Sequence, residues 1–279
     1  MRFWFAFLTT ILSLWGIDGY NGKSLVLPLS SASGMLVMSE RNISILPHPV
    51  DPTLGIAIIP TDYHTPPQEL KPKWISDFGE LEIPIMIHSS DYPTEVLSVE
   101  STKVTPPAEA LQRIADEKAE AEAIYNTITP KRYWTKPFIY PMESNITSQY
   151  GSSRTYNGVL KSYHGGVDFR ARTPMPILAT NDGVVILVKD RYYAGGTVII
   201  DHGEGIYSCY FHMSQFDVKV GEPVLRGQTI GLSGATGRIT GPHLHFGVMV
   251  LGFQTDPLDL IQQINALFPK EPNETLTRR

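Results

Sequence analysis

Disulfide chemistry is missing from this sequence: its 279 residues hold one cysteine, Cys209, with no second thiol in the chain to pair with. The neighbours, Tyr207 to Phe211, read as a buried strand, so Cys209 is expected as a structural thiol rather than a nucleophile. A surplus of positive charge is missing too. Lys and Arg total 23 against 28 Asp and Glu, for a net charge of −5, which leaves no basic footprint for a phosphate backbone. No nucleic-acid partner is expected. The apolar run at the N-terminus, Phe3 to Trp15 after Arg2, falls short of the roughly 20 residues that span a bilayer and has the length of a signal-peptide core. Residues 1–20 are therefore expected to be an export signal, with the small residues Gly16 and Gly19 flanking the cut; an uncleaved membrane anchor is the alternative reading of the same segment. No Cys follows it, which disfavours a lipid anchor.

What is plentiful is punctuation. With 22 prolines and 23 glycines in an otherwise ordinary globular composition, 42% hydrophobic and 18% charged, the chain is expected to be mainly β, built from short strands and many turns. From Lys23 to about Val104, apolar runs at Ser24–Leu29, Gly34–Met38, Gly55–Ile59 and Leu81–Ile87 predict a small N-terminal β sandwich or barrel, residues 22–104. His48, His64 and His88 in this part form no local ligand motif and are expected at the surface or in hydrogen bonds. The composition then changes. Thr105 as N-cap, Pro106 and Pro107 at the start, and an Ala-, Glu- and Lys-rich stretch predict a helix over Ala108–Asn126 with a weakly apolar stripe. It reads as a linking helix, followed by a basic and aromatic connection, Lys131–Phe138, so that 105–140 joins two domains. From Pro141 the strand pattern resumes at Gly183–Lys189, Gly196–Asp201, Gly205–Phe211, Gln228–Leu232 and Leu244–Val250. A C-terminal antiparallel β-sheet domain over 141–262 and a tail over 263–279, with a short helix or turn across Leu258–Phe268, complete the expected organisation. The sequons at Asn42, Asn145 and Asn273 are read as chance.

The second half also concentrates chemistry. His164 and Asp168 stand in His164-Gly165-Gly166-Val167-Asp168, His212 in Tyr210-Phe211-His212-Met213-Ser214, and a pair in His243-Leu244-His245. Residues two or four apart on a strand share a face, which puts His164 with Asp168 and His243 with His245. A catalytic zinc takes three protein ligands and leaves a fourth tetrahedral position open, and two nitrogens and one carboxylate oxygen from neighbouring strands meet that demand. His243 and His245 lie roughly 6.6 Å apart at Cα on a strand, so one can bind the metal while the other serves the reacting atoms. A histidine outside the ligand set can accept a proton or steady an oxyanion. Five buried polar groups without such a role would be costly. His202, in Asp201-His202-Gly203, reads instead as a structural turn residue.

These motifs, in order with Ile146-Thr147-Ser148-Gln149-Tyr150-Gly151, Ala179-Thr180-Asn181-Asp182-Gly183, Val220-Gly221, Gly227-Gln228, Gly231-Leu232-Ser233-Gly234-Ala235-Thr236-Gly237 and Gly241-Pro242-His243-Leu244-His245-Phe246, resemble the M23 family of lysostaphin-like metallopeptidases, also called LytM domains. The resemblance implies zinc ligands at His164, Asp168 and His245, catalytic histidines at His212 and His243, an antiparallel β-sheet groove, and peptidoglycan cross-bridges or stem peptides as substrate. It places the protein in the periplasm or cell envelope. The N-terminal part, including Ile45-Leu46-Pro47-His48-Pro49, resembles the β domain that precedes the peptidase in some members.

Two further readings belong to other functional classes. A catalytically inactive LytM module would bind the wall or activate another wall hydrolase, and a wall-binding structural domain would need no metal. Inactive modules usually lack one or more of the site positions, whereas all five are filled here. The N-terminal domain is expected either to target the wall or, with the Lys131–Phe138 connection, to limit access to the groove.

Overall fold

The computed structural model describes residues 16–38, 41–172 and 174–269. Phe3–Trp15, the sequon at Asn273 and most of the tail lie outside them. Two compact units divide the chain: one runs to Ser90 and takes in the residues from Asp259 onward, and the other is Asp91–Leu258. No helix among the described residues is long and apolar enough to cross a membrane.

The first unit holds three small sheets. Ser24–Leu29 forms as expected and pairs with Gly55–Pro60, a strand buried along its whole length. The expected run Leu81–Ile87 is instead two strands, Gly79–Glu82 and Ile85–His88, in different sheets. Pro84 lies between them and has no N–H to continue a ladder. Ile17–Tyr20, inside the stretch expected to be signal or anchor, pairs in parallel with Ile85–His88. A Cβ at Gly19 would meet Ile87 Cδ1 at 2.8 Å, so this glycine serves a close approach between strands. The three histidines of the unit are scattered: His88 pairs with Asp18 at 2.6 Å, His48 accepts the Val50 and Asp51 N–H groups, and the His64 N–H donates to Asp62. Helix Pro257–Asn265 extends into this unit, where Gln263 donates to Ser24 O and accepts from Val26 N.

The second unit begins earlier than the composition change suggested, with β1 (Thr94–Leu97) ahead of helix α1 (Ala108–Tyr125). Then follow β2 (Ile146–Ser148), β3 (Ser153–Tyr156), β4 (Leu160–Tyr163), β5 (Val167–Arg170) and β6 (Pro176–Leu178). The long strands are β7 (Gly183–Arg191), β8 (Gly195–Asp201) and β9 (Ile206–Phe216). β10 (Pro223–Val224), β11 (Thr229–Ser233), β12 (His243–Val250) and β13 (Phe253–Thr255) complete the unit. One antiparallel sheet runs β2-β5-β12-β9-β8-β7-β10, with β11 joining β6 to β9 and β13 on β12; β1, β3 and β4 form a separate three-stranded sheet. Tyr207, Tyr210, Phe169, Phe246 and Ile199 are fully buried in its core.

Helix α1 does more than link. Its N-cap is Pro107 with no side-chain cap, so Thr105 does not serve that position. Ile124 and Tyr125 pack on the Leu187, Ile199, Tyr207, Cys209 and Met249 cluster of the sheet. The weak apolar stripe is supplemented by a buried polar anchor: Glu117 accepts from Arg113 Nε at 2.7 Å and from Tyr192 N at 2.8 Å, and its carbonyl accepts from Arg191. Burial in that cluster pushes the Cys209 thiol up to about 12, in keeping with a structural thiol. The 131–138 connection is also fixed: Trp134 is fully buried, Tyr133 N donates to His202 O, and Lys136 O accepts from Asn181.

His202 is structural, as its turn context suggested. Nδ1–H donates to Asp182 O at 2.7 Å, which leaves Nε2 to accept from Ser208 Oγ at 2.8 Å. Complete burial depresses its pKa to about 4. The unfolded chain takes up a proton near pH 6.5 that the folded chain refuses until about pH 4, so this stabilisation is present above pH 6.5 and is lost as pH falls through that window. The loss is on the order of 3 kcal/mol by pH 4. Urea unfolding between pH 6.5 and 4 should therefore show a flatter decline of stability for His202→Gln than for the wild type. Identical slopes would remove His202 from the acid sensitivity.

Candidate metal centre

Strands β5 and β12 are antiparallel neighbours whose register sets Asp168 opposite His245 and Arg170 opposite His243. The pairing brings one carboxylate and one imidazole to the same spot without any loop. His164 arrives differently from the strand alternation expected of it. It lies in the turn before β5, and the Gly165-Gly166 pair carries the chain past the site. A Cβ at Gly166 would lie 2.4 Å from Phe246 O and 2.6 Å from His245 Nε2, so only glycine lets the turn pass this close.

The three side chains converge. His164 Nε2 lies 2.9 Å from Asp168 Oδ1 and 2.9 Å from His245 Nδ1, and His245 Nδ1 lies 3.0 Å from Asp168 Oδ1. All three residues are buried, and their potential ligand atoms form a cluster suited to a metal ion. Ligands of a tetrahedral zinc at about 2.0–2.1 Å stand roughly 3.3 Å from each other. The observed triangle is slightly tighter, and its two imidazole nitrogens and one carboxylate oxygen are a donor set that would hold such an ion.

Charge and tautomer agree with that fit. Burial alone would raise the Asp168 pKa, but the neighbouring His164 and His245 imidazoles outweigh it and hold the carboxyl well below its usual range. Burial depresses His245 to about 4, and the Asp168 contacts offset this only in part. An ionised carboxylate beside neutral imidazole is the ligating form of this set. His164 Nδ1 faces Gln149 O at 2.8 Å and must carry the proton there, which leaves Nε2 with the lone pair. The Phe211 ring stacks flat on His245 with centroids 5.1 Å apart.

The two remaining histidines stand beside the triangle. Between Gly196↔Met213 and Val198↔Tyr210 the β8–β9 register shifts, so Phe211 and His212 oppose a single residue in a β-bulge. His212 has φ 64 there, a left-handed conformation that a non-glycine residue adopts at a cost and that recurs at functional sites. Its N–H donates to Ala194 O and its Nδ1–H to Thr236 O at 2.7 Å. His243 Nδ1–H donates to Gly241 O at 2.7 Å. Each ring thus commits its Nδ1 proton to a backbone carbonyl. The ring centroids are 4.7 Å apart, and His243 Nε2 is 3.6 Å from Asp168 Oδ1. Burial, then the neighbouring His243 and His245, depress His212 well below the ordinary histidine range.

All five residues singled out in the sequence thus share one site. Residues around it that carried no sequence signal are Arg154, which donates to Asp168 Oδ2 at 2.8 Å, and Glu95, which holds Arg154 together with Ser148 of the Ile146–Gly151 run. Arg154 sits in Ser152–Tyr156, which has no ligand spacing, and Glu95 lies in the stretch first assigned to the N-terminal domain.

Comparison with known proteins bears on the same residues. Residues 162–257 match Peptidase family M23. Peptidoglycan DD-endopeptidase ShyA of Vibrio cholerae serotype O1 is 41% identical over 116 residues, which is 40% of this chain and 27% of that protein. Glycyl-glycine endopeptidase ALE-1 of Staphylococcus capitis is 36% identical over 125 residues, 43% of this chain and 34% of that protein. The chain thus spans about a third or less of the length of these curated relatives. A crystal structure of a putative peptidase M23 from Pseudomonas aeruginosa aligns over 92% of this chain and 99% of its own, with a TM-score of 0.70 and 27% identity. Residues 162–257, which carry the His164, Asp168, His212, His243 and His245 cluster, are a Peptidase family M23 domain.

Proposed function

We propose that this chain is a zinc-dependent endopeptidase that hydrolyses peptide bonds of bacterial peptidoglycan, in a stem peptide or a cross-link. The observation that carries the reading is the triangle of His164 Nε2, Asp168 Oδ1 and His245 Nδ1, with sides of 2.9–3.0 Å, flanked by two histidines inside an M23 domain. His164, Asp168 and His245 are the zinc ligands. When bound, zinc lowers the pKa of water from about 15.7 toward 7 and polarises a scissile carbonyl.

The chain's own residues supply the rest. Asp168 contributes the single negative charge of the ligand set, burial keeps His245 neutral, and the Gln149 carbonyl takes the Nδ1 proton of His164 so that its Nε2 faces inward. His212 and His243 present Nε2 beside the site, fixed in that tautomer by the carbonyls of Thr236 and Gly241. One accepts a proton from the attacking water and returns it to the leaving amine, while the other lines the place where the carbonyl oxygen gains charge. The depressed basicity of His212 keeps it able to accept at neutral pH. The bulge matters here because it turns His212 toward His243.

An inactive LytM module is disfavoured by the completeness of the five-residue set. Peptidoglycan as substrate puts the working protein outside the cytoplasm, in the periplasm or cell envelope, with the apolar run Phe3–Trp15, ahead of the Ile17–Tyr20 strand, as its export signal or anchor. The two named relatives differ in the bond their names specify, D,D or glycyl-glycine, so the bond is best identified on products. Mass spectrometry of muropeptides released from walls of several chemotypes should show new amino termini at one bond type, abolished by a zinc chelator and restored by zinc. Intact walls after incubation with zinc-loaded protein would refute the activity.

Two substitutions separate binding from chemistry. Asp168→Ala should lose metal and activity together, because two neutral imidazoles bind zinc weakly; full zinc occupancy in this variant would sink the ligand assignment. His212→Ala and His243→Ala should keep one zinc per chain while turnover falls about 10²–10⁴-fold. Loss of zinc from either, with retention in His245→Ala, would reverse ligand and catalyst.

A further inference from the structure

The metal ligands are gripped from behind by a network that starts outside the matched domain. Strand β1 pairs in parallel with β3, with Glu95 opposite Arg154. Glu95 Oε2 accepts from Arg154 Nε at 2.8 Å, and Arg154 Nη2 donates to Asp168 Oδ2, the oxygen turned away from the triangle, also at 2.8 Å. Ser148 closes the circuit. Its hydroxyl donates to Glu95 Oε1 at 2.6 Å, accepts from Arg154 Nη2 at 2.8 Å and faces His164 Nδ1 at 3.0 Å. The Glu95, Arg154 and Asp168 side chains are only 22%, 11% and 8% exposed, so water screens these contacts poorly.

The segment that brings Glu95 here is itself pinned. The Tyr92 ring packs edge-on to Tyr150, Ser153 N donates to Pro93 O, and Asn157 donates to Val99 O and accepts from Val99 N. Glu95 lies more than sixty residues before the matched region begins at residue 162, with helix α1 in between.

We propose that Glu95 is a positioning residue of the metal centre, and that the functional metallopeptidase unit therefore begins at about Asp91. Two physical effects converge on it. Arg154 puts a positive charge against a metal-binding carboxylate, and Glu95 compensates that charge: the Glu95, Arg154 and Asp168 set carries −1 in all, whereas without Glu95 it carries zero and leaves a cation beside the ion. Glu95 also takes the one Ser148 hydroxyl proton. Ser148 Oγ can then only accept from His164, which favours Nδ1–H and leaves Nε2 free to ligate. With Glu95 gone, the hydroxyl is released to donate to Nδ1, in competition with the Gln149 carbonyl that holds the metal-binding tautomer at 2.8 Å.

This inference rests on the zinc-ligand reading above. The test is zinc affinity of the full-length chain, measured by competition with a chromophoric chelator, with unfolding of the metal-free proteins as the control for folding. Glu95→Gln keeps the shape of the side chain and should bind zinc about 10–100-fold more weakly. Val96→Ser, at the exposed next position of the same strand, should bind as the wild type does. Wild-type affinity in E95Q, or equal losses in E95Q and V96S, overturns the proposal. If E95Q does not fold, Ser148→Ala takes its place, with a loss in the same direction expected and unchanged affinity overturning the idea. The two readings fail differently. An error in the ligand assignment shows as zinc retained by D168A, whereas an error here leaves D168A empty and E95Q fully loaded.

Discussion

A buried carboxylate is expensive to keep ionised unless its oxygens are met by donors or by a cation. Asp168 is such a group. One oxygen faces His164 and His245, the other is held by Arg154, and the balance keeps the acid ionised despite its burial. The design around it serves that demand: β5 and β12 pair so that Asp168 faces His245, a double-glycine turn returns His164 to the same point, and β3 presents Arg154 from the opposite side. Most of this is ordinary β structure, and two departures from it fall at the site: the double-glycine turn before β5 and a bulge in β9.

The bulge in β9 is the clearest of these departures. A regular β9 would keep strict alternation against β8, and one additional residue turns His212 into the left-handed region at the point where it meets His243. The surrounding sheet makes that strain tolerable, since Tyr207, Tyr210 and Phe246 are fully buried and β9 is paired on both sides, with β8 and β12, from Tyr207 to Tyr210 up to the bulge. Rigidity in the sheet and strain at one residue together define where the two outer imidazoles point.

Much of this was legible in the sequence for physical reasons. Runs of β-branched and aromatic residues between glycines and prolines predicted Ser24–Leu29 and the long strands of the second unit, because period and punctuation are local properties. The five site residues were legible because their types and order match a known family pattern. Other features depended on tertiary partners. The way His164 reaches Asp168 is a property of a turn pressed against Phe246, not of strand alternation. Helix α1 looked like a free link since its apolar stripe is weak, yet a buried Glu117 anchors it. Glu95 and Arg154 carry no motif, and their meeting is fixed by a parallel pairing across 59 residues that no local pattern encodes.

The central claim is that two imidazoles and one carboxylate hold a single zinc. X-ray absorption at the zinc edge of the full-length, metal-loaded protein tests it most directly. The account predicts only nitrogen and oxygen neighbours at about 2.0–2.1 Å, with the outer scattering of two histidine rings. A sulfur neighbour at about 2.3 Å, or the scattering of three or more rings, would contradict it.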